Sequence, residues 1–282
     1  TCLAHSGSAS KCMGLPFRGK VRAQEKRRGA GELSRAPYLW SPTRGKPREA
    51  NWIRIWWLRQ GLHDTPDILR AQLQKTIDDI ERENQELRES QRFDAIVLAY
   101  GLCSNGVIGL RSRTLPIVVP RCDDCISLFL GSAERYRMLF REMQGVYWYN
   151  RGWIEQAFTP SRENYQKQRA EYARDYGEEN ADYLMECTNS WMANYRCCAY
   201  ITSPLGDDPK VEAYVKRASE DFGWEYRRVP GSMMYLESLV NGPWNDEQFL
   251  ICLPESQIEA DYTDRKFHCV PCNVDDWSAS TI

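Results

Sequence analysis

No apolar stretch in these 282 residues approaches the roughly 18 needed to cross a bilayer as a helix. The opening TCLAHSGSASKCMGLPF is interrupted by polar residues and glycines, so it lacks the apolar core of a secretory signal. The expected compartment is the cytoplasm, with no membrane partner. The dinucleotide fingerprint G-x-G-x-x-G is missing from the glycine-rich stretch GLCSNGVIG at 101–109, and no P-loop lysine follows it. NAD and ATP are therefore not expected. No internal repeat stands out. Strong net charge is lacking too: 37 Lys/Arg against 39 Asp/Glu leave −2. The balance is uneven, because residues 1–50 hold 11 Lys/Arg and 3 Asp/Glu, about +8, and the rest carries about −10. An acidic body argues against nucleic acid as a partner. The basic arm, rich in Gly, Pro and Ser and without helical periodicity, reads as a low-order extension.

What the chain does have is cysteine, eleven in all. In a reducing compartment they are free thiols, metal ligands or catalytic thiols before they are a disulfide framework. Hydrophobic residues make up 42%, enough for a real core.

From residue 51 the pattern becomes regular. WIRIWWL (52–58) is aromatic and β-branched and reads as a strand. Thr65-Pro66 opens a helix running to about Ser90, with Leu69, Leu73, Ile77, Ile80 and Leu87 on one face. FDAIVLAY (93–100) and LPIVVP (115–120) read as strands buried on both sides, and a helix is expected over 125–143. A short strand and turn is expected over 146–153, and further strands at 198–203, 224–230 and 247–254. Helices are expected over 161–177, 178–194, 207–222 and 232–242, the last closed by Asn-Gly-Pro. Beyond Glu255 periodicity fades. Strands alternating with helices predict an α/β fold, a Rossmann-like parallel sheet with helices on both faces. The expected layout is an extension (1–50), a first half (51–145) carrying cysteine-rich strand ends, a second half (146–260) and a tail (261–282).

In open parallel sheets, ligands bind beyond the carboxyl ends of the strands. Three strands here end in GLHD, GLCSNG and RCDDC. If they are neighbours, His63, Cys103, Cys122 and Cys125 converge. One imidazole and three thiols suit zinc, or iron including an iron–sulfur cluster. Cys122 and Cys125 form C-x-x-C, with Cys125 in the first turn of the expected helix, where the dipole favours thiolate. Asp123 and Asp124 oppose thiolate formation but favour a bound cation. Gly101, Gly106 and Gly109 permit close backbone approach, and Asn105-Gly106 is a tight-turn pair. Backbone amides around Gly101, Ser104, Asn105 and Gly106, with Arg111, Arg113 or Arg121, form a candidate cradle for an anionic ligand.

Other cysteines carry weaker signals. His268 precedes a second C-x-x-C, Cys269 to Cys272, which could join Cys122 and Cys125 in a four-cysteine zinc site. Cys197, Cys198 and Cys252 read as core thiols, and Cys187 is a candidate for a cleft. The Tyr and Trp residues between 136 and 200 either pack a boundary between halves or form a stacking platform for a flat cofactor.

The block FDAIVLAYGLCSNGVIGLRSRTLPIVVPRCDDCISLFLGSAERY resembles the family catalogued as domain of unknown function 1638. QGLHDTPDILR upstream and FGWEYRRVPGSMMYLESLVNGPWNDEQFLICLP downstream share the resemblance, which spans about residues 52–260. It implies anaerobic hosts and gene neighbourhoods of corrinoid-dependent methyl transfer, hence a methyltransferase-system partner. Two departures stand out. Where the resemblance implies Cys-His-Asp-Cys, this chain has Asp123, a harder oxygen donor. It also implies an early cysteine-bearing strand, whose place the basic arm takes, so a first βα unit is expected to be missing.

The leading expectation is a protein that binds a metal or metal cofactor through thiolates, with methyl or sulfur transfer as its chemistry if it is an enzyme. The alternatives are a metal-free cysteine nucleophile (Cys103 or Cys125) and a non-catalytic accessory protein that delivers a metal or cofactor.

Overall fold

The computed structural model describes residues 53–59, 61–102 and 105–272, together with the backbone of 38–40; His63 is described by its backbone alone. These residues form two compact units. The first runs to Ala133 and resumes at Met233, and the second spans Glu134–Ser232. The fold is mixed α/β. Among the described residues no helix is long and apolar enough to cross a membrane.

The first unit is built on a five-stranded sheet. Strand β1 (Tyr38–Trp40) lies within the stretch expected to be a low-order extension. It is followed by β2 (Ile53–Ile55), β3 (Ala95–Val97), β4 (Arg111–Ser112) and β5 (Ile117–Pro120). The order across the sheet is β2-β1-β3-β5 and then β9 (Phe249–Cys252). Only β3 and β5 pair in parallel; β1 runs against both β2 and β3, and β9 runs against β5. The apolar runs are wholly buried, all three residues of β3 and all four of β5, as strands covered on both faces must be.

Helix α1 (Pro66–Glu86) supplies one cover. Proline fits its first turn, where no amide donor is needed. Leu69, Leu73, Ile77 and Ile80 recur every three or four residues and are all buried. They join Phe93, Ile96, Val107, Leu115, Ile117 and Val119 in one apolar cluster. The helix expected over 125–143 is broken in two, α2 (Ile126–Leu130) and α3 (Ala133–Glu142). Gly131 causes the break: it takes the left-handed conformation, φ 90°, and its amide closes α2 on the Ser127 carbonyl.

The second unit carries the all-parallel sheet: β6 (Val146–Tyr149), β7 (Cys197–Thr202) and β8 (Glu225–Pro230), in that order. Between the first two strands come α4 (Arg151–Gln156), α5 (Arg162–Tyr176) and α6 (Glu178–Asn189). Helix α7 (Pro209–Phe222) links β7 to β8; the Asp208 carboxylate accepts the Lys210 amide at its start. The chain then returns to the first unit through α8 (Met234–Asn241).

The segment after Glu255 is no tail. β10 (Ser256–Ala260) and β11 (Phe267–Pro271) form an antiparallel hairpin, and β10 also pairs with β4. Each strand has one wholly buried residue, Ile258 and Phe267. One apolar anchor per strand is too little to produce periodicity.

Candidate functional site

The parallel ladder of β3 and β5 sets the geometry. Ile96 faces Ile117 and Val97 faces Val118. Hydrogen bonding continues past the strand ends, where the Leu102 amide donates to the Cys122 carbonyl at 2.8 Å. Beside it, a Cβ on Gly101 would stand 2.9 Å from both the Cα and the amide nitrogen of Asp124. That is closer than real Cβ atoms come to backbone, so the approach of the two loops requires glycine. Residues 101–102 and loop 121–125 are thus laid backbone to backbone. β2, antiparallel to β1, which is antiparallel to β3, points the same way as β3 and β5. The turn after β2, Leu62–Asp64, contains His63.

The candidate ligands are distributed as follows. Cys122 lies two residues past the end of β5 and is wholly buried. Cys125 is half-buried and opens α2, its carbonyl accepting the amides of Leu128 and Phe129. Cys103 and Ser104, and the side chain of His63, lie outside the described residues. Among the described residues no three His, Cys, Asp or Glu side chains are grouped closely enough to hold a metal ion.

The aspartates between the cysteines have other roles. Asp124 accepts the amide of Ile126, the first residue of α2, at 2.9 Å, while Asp123 pairs with Lys266 of the hairpin turn at 2.9 Å. Arg121, expected to offer charge to an anion, is buried. Its guanidinium donates to the carbonyls of Asp246 (2.8 Å), Arg265 (2.7 Å) and Phe267 (2.5 Å), and to the Asp246 carboxylate (2.9 Å). Arg121 therefore clamps the C-terminal hairpin to the end of β5. Asp246 also accepts from Arg265, and these two guanidinium bonds hold its carboxyl below the usual carboxylate range.

Residues 105–109 form a tight turn. Asn105 has φ 66°, and its carbonyl accepts from Ile108 N and Arg70 Nη2 at 3.1 Å each; Gly106 beside it is buried. Arg111 lies on β4, its backbone amide and carbonyl both bonded by the Gln74 side chain at 3.0 Å. The Arg113 amide, with those of Thr114 and Leu115 and the hydroxyls of Ser112 and Thr114, bonds the buried carboxylate of Glu81.

Elsewhere, Cys197 and Cys198 are buried in β7, and burial pushes their thiols up to about 11 and about 12, which keeps them neutral. Cys187 is exposed on α6. Cys269 contacts Cys252, a partnership the C-x-x-C spacing did not suggest. Tyr147, Trp191, Tyr195 and Trp224 cluster with ring centroids 5.4–6.3 Å apart. Beside them an open hollow of about 540 Å³ is lined by Tyr195, Arg196, Phe222 and Trp224, among others.

Sequence reasoning missed Asp246, just before β9, and Lys266, in the hairpin turn, which pair with Arg121 and Asp123 of loop 121–125. Recognition of β10–β11 as a hairpin could have signalled Lys266. Comparison with curated proteins and with solved structures returned no match. A family model described as protein of unknown function (DUF1638) matches residues 57–240, well over half the chain and including both strand-end loops. The chain belongs to this DUF1638 family.

Proposed function

We propose that the protein binds a thiophilic metal ion or metal cofactor at the carboxyl edge of β3 and β5. In this reading Cys103, Cys122 and Cys125 are the thiolate ligands and His63 is a further nitrogen donor. One observation carries it: the Leu102–Cys122 hydrogen bond and the approach of Gly101 to Asp124 hold Gly101 and Leu102, which immediately precede Cys103 in the chain, against the loop bearing the other two cysteines. The reading treats the edge where β2, β3 and β5 end as the ligand crevice of a Rossmann-like sheet. A thiolate as buried as Cys122 needs a cation or hydrogen-bond donors beside it. Thiolate-rich donor sets suit zinc or iron, including an iron–sulfur cluster. Methyl or sulfur transfer is the chemistry such a centre would serve, working in the cytoplasm, where thiols stay reduced, with a methyltransferase-system protein as partner. The amides of Gly101, Ser104, Asn105 and Gly106 would meet an anionic part of the ligand. The tight internal bonding of Arg121 assigns it a positioning role instead.

The test is elemental analysis of anaerobically purified wild type beside Cys103→Ser and Cys122→Ser/Cys125→Ser. Stoichiometric metal in the wild type, lost from both variants while the fold persists, is the expected result. A metal-free wild type in which one thiol of this set alkylates rapidly and stoichiometrically would sink the proposal and favour the nucleophile reading.

A further inference from the structure

A second thiol group lies apart from the three proposed ligands. Cys252, in β9, is 1% exposed and belongs to the core of the first unit. Cys269, in β11, packs against that same core from a half-buried position. Along β11, Phe267 faces inward and His268 outward, so Cys269 shares the inward face with Phe267. The Cys269 Sγ is 3.9 Å from the carbonyl of Ile251, the residue before Cys252, and hydrogen-bonds the Cys252 thiol. Two strands remote in sequence thus bring one enclosed and one accessible sulfur into contact.

We propose that Cys252 and Cys269 form a redox-active dithiol that closes to an intramolecular disulfide by exchange with low-molecular-weight disulfides. The contact makes the two sulfurs unequal. The Cys252 S–H donated to Cys269 holds that thiol below its ordinary value, and the positive charge of Arg121 acts in the same direction. The same hydrogen bond, and then burial, push Cys252 up. Cys269 is the accessible sulfur with the larger thiolate fraction, so it attacks first. Its sulfur bonds to one sulfur of R–S–S–R; the reagent's S–S bond breaks and the departing thiolate takes up a proton. Cys252 then gives up its proton to solvent and attacks the Cys269 sulfur, expelling the second thiolate, which is protonated in turn. Two protein thiols are oxidised and one R–S–S–R is reduced to two R–SH.

Cys272, three residues beyond Cys269, is the competing partner by spacing alone. The full-length protein is equilibrated with mixtures of oxidised and reduced glutathione, quenched by alkylation, and mapped by peptide mass spectrometry. The expected product is a Cys252–Cys269 linked peptide, formed equally well in Cys272→Ser. Cys252→Ser stops at a glutathione mixed disulfide on Cys269, and Cys269→Ser, which alters only a half-buried position, leaves Cys252 reduced. A Cys269–Cys272 link, or a Cys252–Cys269 link that forms only in denaturant, overturns the proposal. Mapping the wild type and Cys272→Ser decides the matter even if Cys252→Ser does not fold.

Discussion

Replacing Arg121 by methionine should release the C-terminal hairpin from the candidate site. Methionine keeps most of the apolar stem and removes the guanidinium. Four hydrogen bonds are lost, three to backbone carbonyls and one to Asp246. A net bond from a charged donor contributes about 1.5–3 kcal/mol, so four would total about 6–12 kcal/mol if simply added. They do not add, because the bonds share one group and the carbonyls of Asp246 and Arg265, close to exposed turns, regain water. Removing one partner from a buried, paired charge typically costs about 3–5 kcal/mol, and this is the figure expected here. Arg121→Lys keeps the charge but cannot reproduce the fork of donors, so it should fall between wild type and Arg121→Met. Hydrogen exchange is the right assay, because a two-unit chain need not unfold in one step. Protection in 256–271 should drop by several hundredfold or more in Arg121→Met, while the β6-β7-β8 sheet is unchanged. The clamp should also weaken in acid. The Asp246 carboxyl is depressed in the folded state, so its contribution is present above the unfolded value near pH 4 and lost as the pH falls through the folded one. That part is small, because the Asp246 side chain is largely exposed. If Arg121→Met leaves protection of 256–271 within threefold of wild type, the clamp argument is wrong.

Two further substitutions test the framework of the site. Gly101→Ala places a methyl 2.9 Å from the backbone of Asp124; overpacking against unyielding backbone costs about 1–3 kcal/mol. It should lower the denaturant midpoint and weaken any metal binding, and a variant as stable as wild type would mean the loops are not held as described. Glu81→Ala strips the buried carboxylate that accepts from Ser112, Arg113, Thr114 and Leu115. With several buried donors left unpaired, it should cost about 3–5 kcal/mol by urea denaturation and deprotect the amides of 113–115, whereas Glu81→Gln, which retains an acceptor oxygen, should cost less.

The strand-end loops were legible because their signals are local. Continuous apolar runs announced β3 and β5, three- and four-residue spacing announced α1, and the cysteines followed at known offsets. Pairing was less legible. EQFLICLP reads as a strand, yet nothing within it says that it runs against β5. The short apolar stretch at Tyr38–Trp40 was hidden in a basic, glycine-rich context. The hairpin at 256–271 was invisible because Ile258 and Phe267 are its only wholly buried residues. Arg121 read as a charge for a ligand, since a sequence does not say which carbonyls will surround a guanidinium.

By itself, then, the sequence determined most of the helices and the longer apolar strands, that the fold is α/β, and which loops carry thiols. These follow from side-chain size, polarity and spacing within a few residues. Tertiary structure alone decided that β1 enters between β2 and β3, that the hairpin docks on Arg121 and Asp123, and that Cys269 meets Cys252. Such contacts join residues from 13 to 146 positions apart. They are chosen by which buried surfaces and unpaired backbone groups remain to be matched once the local elements have formed.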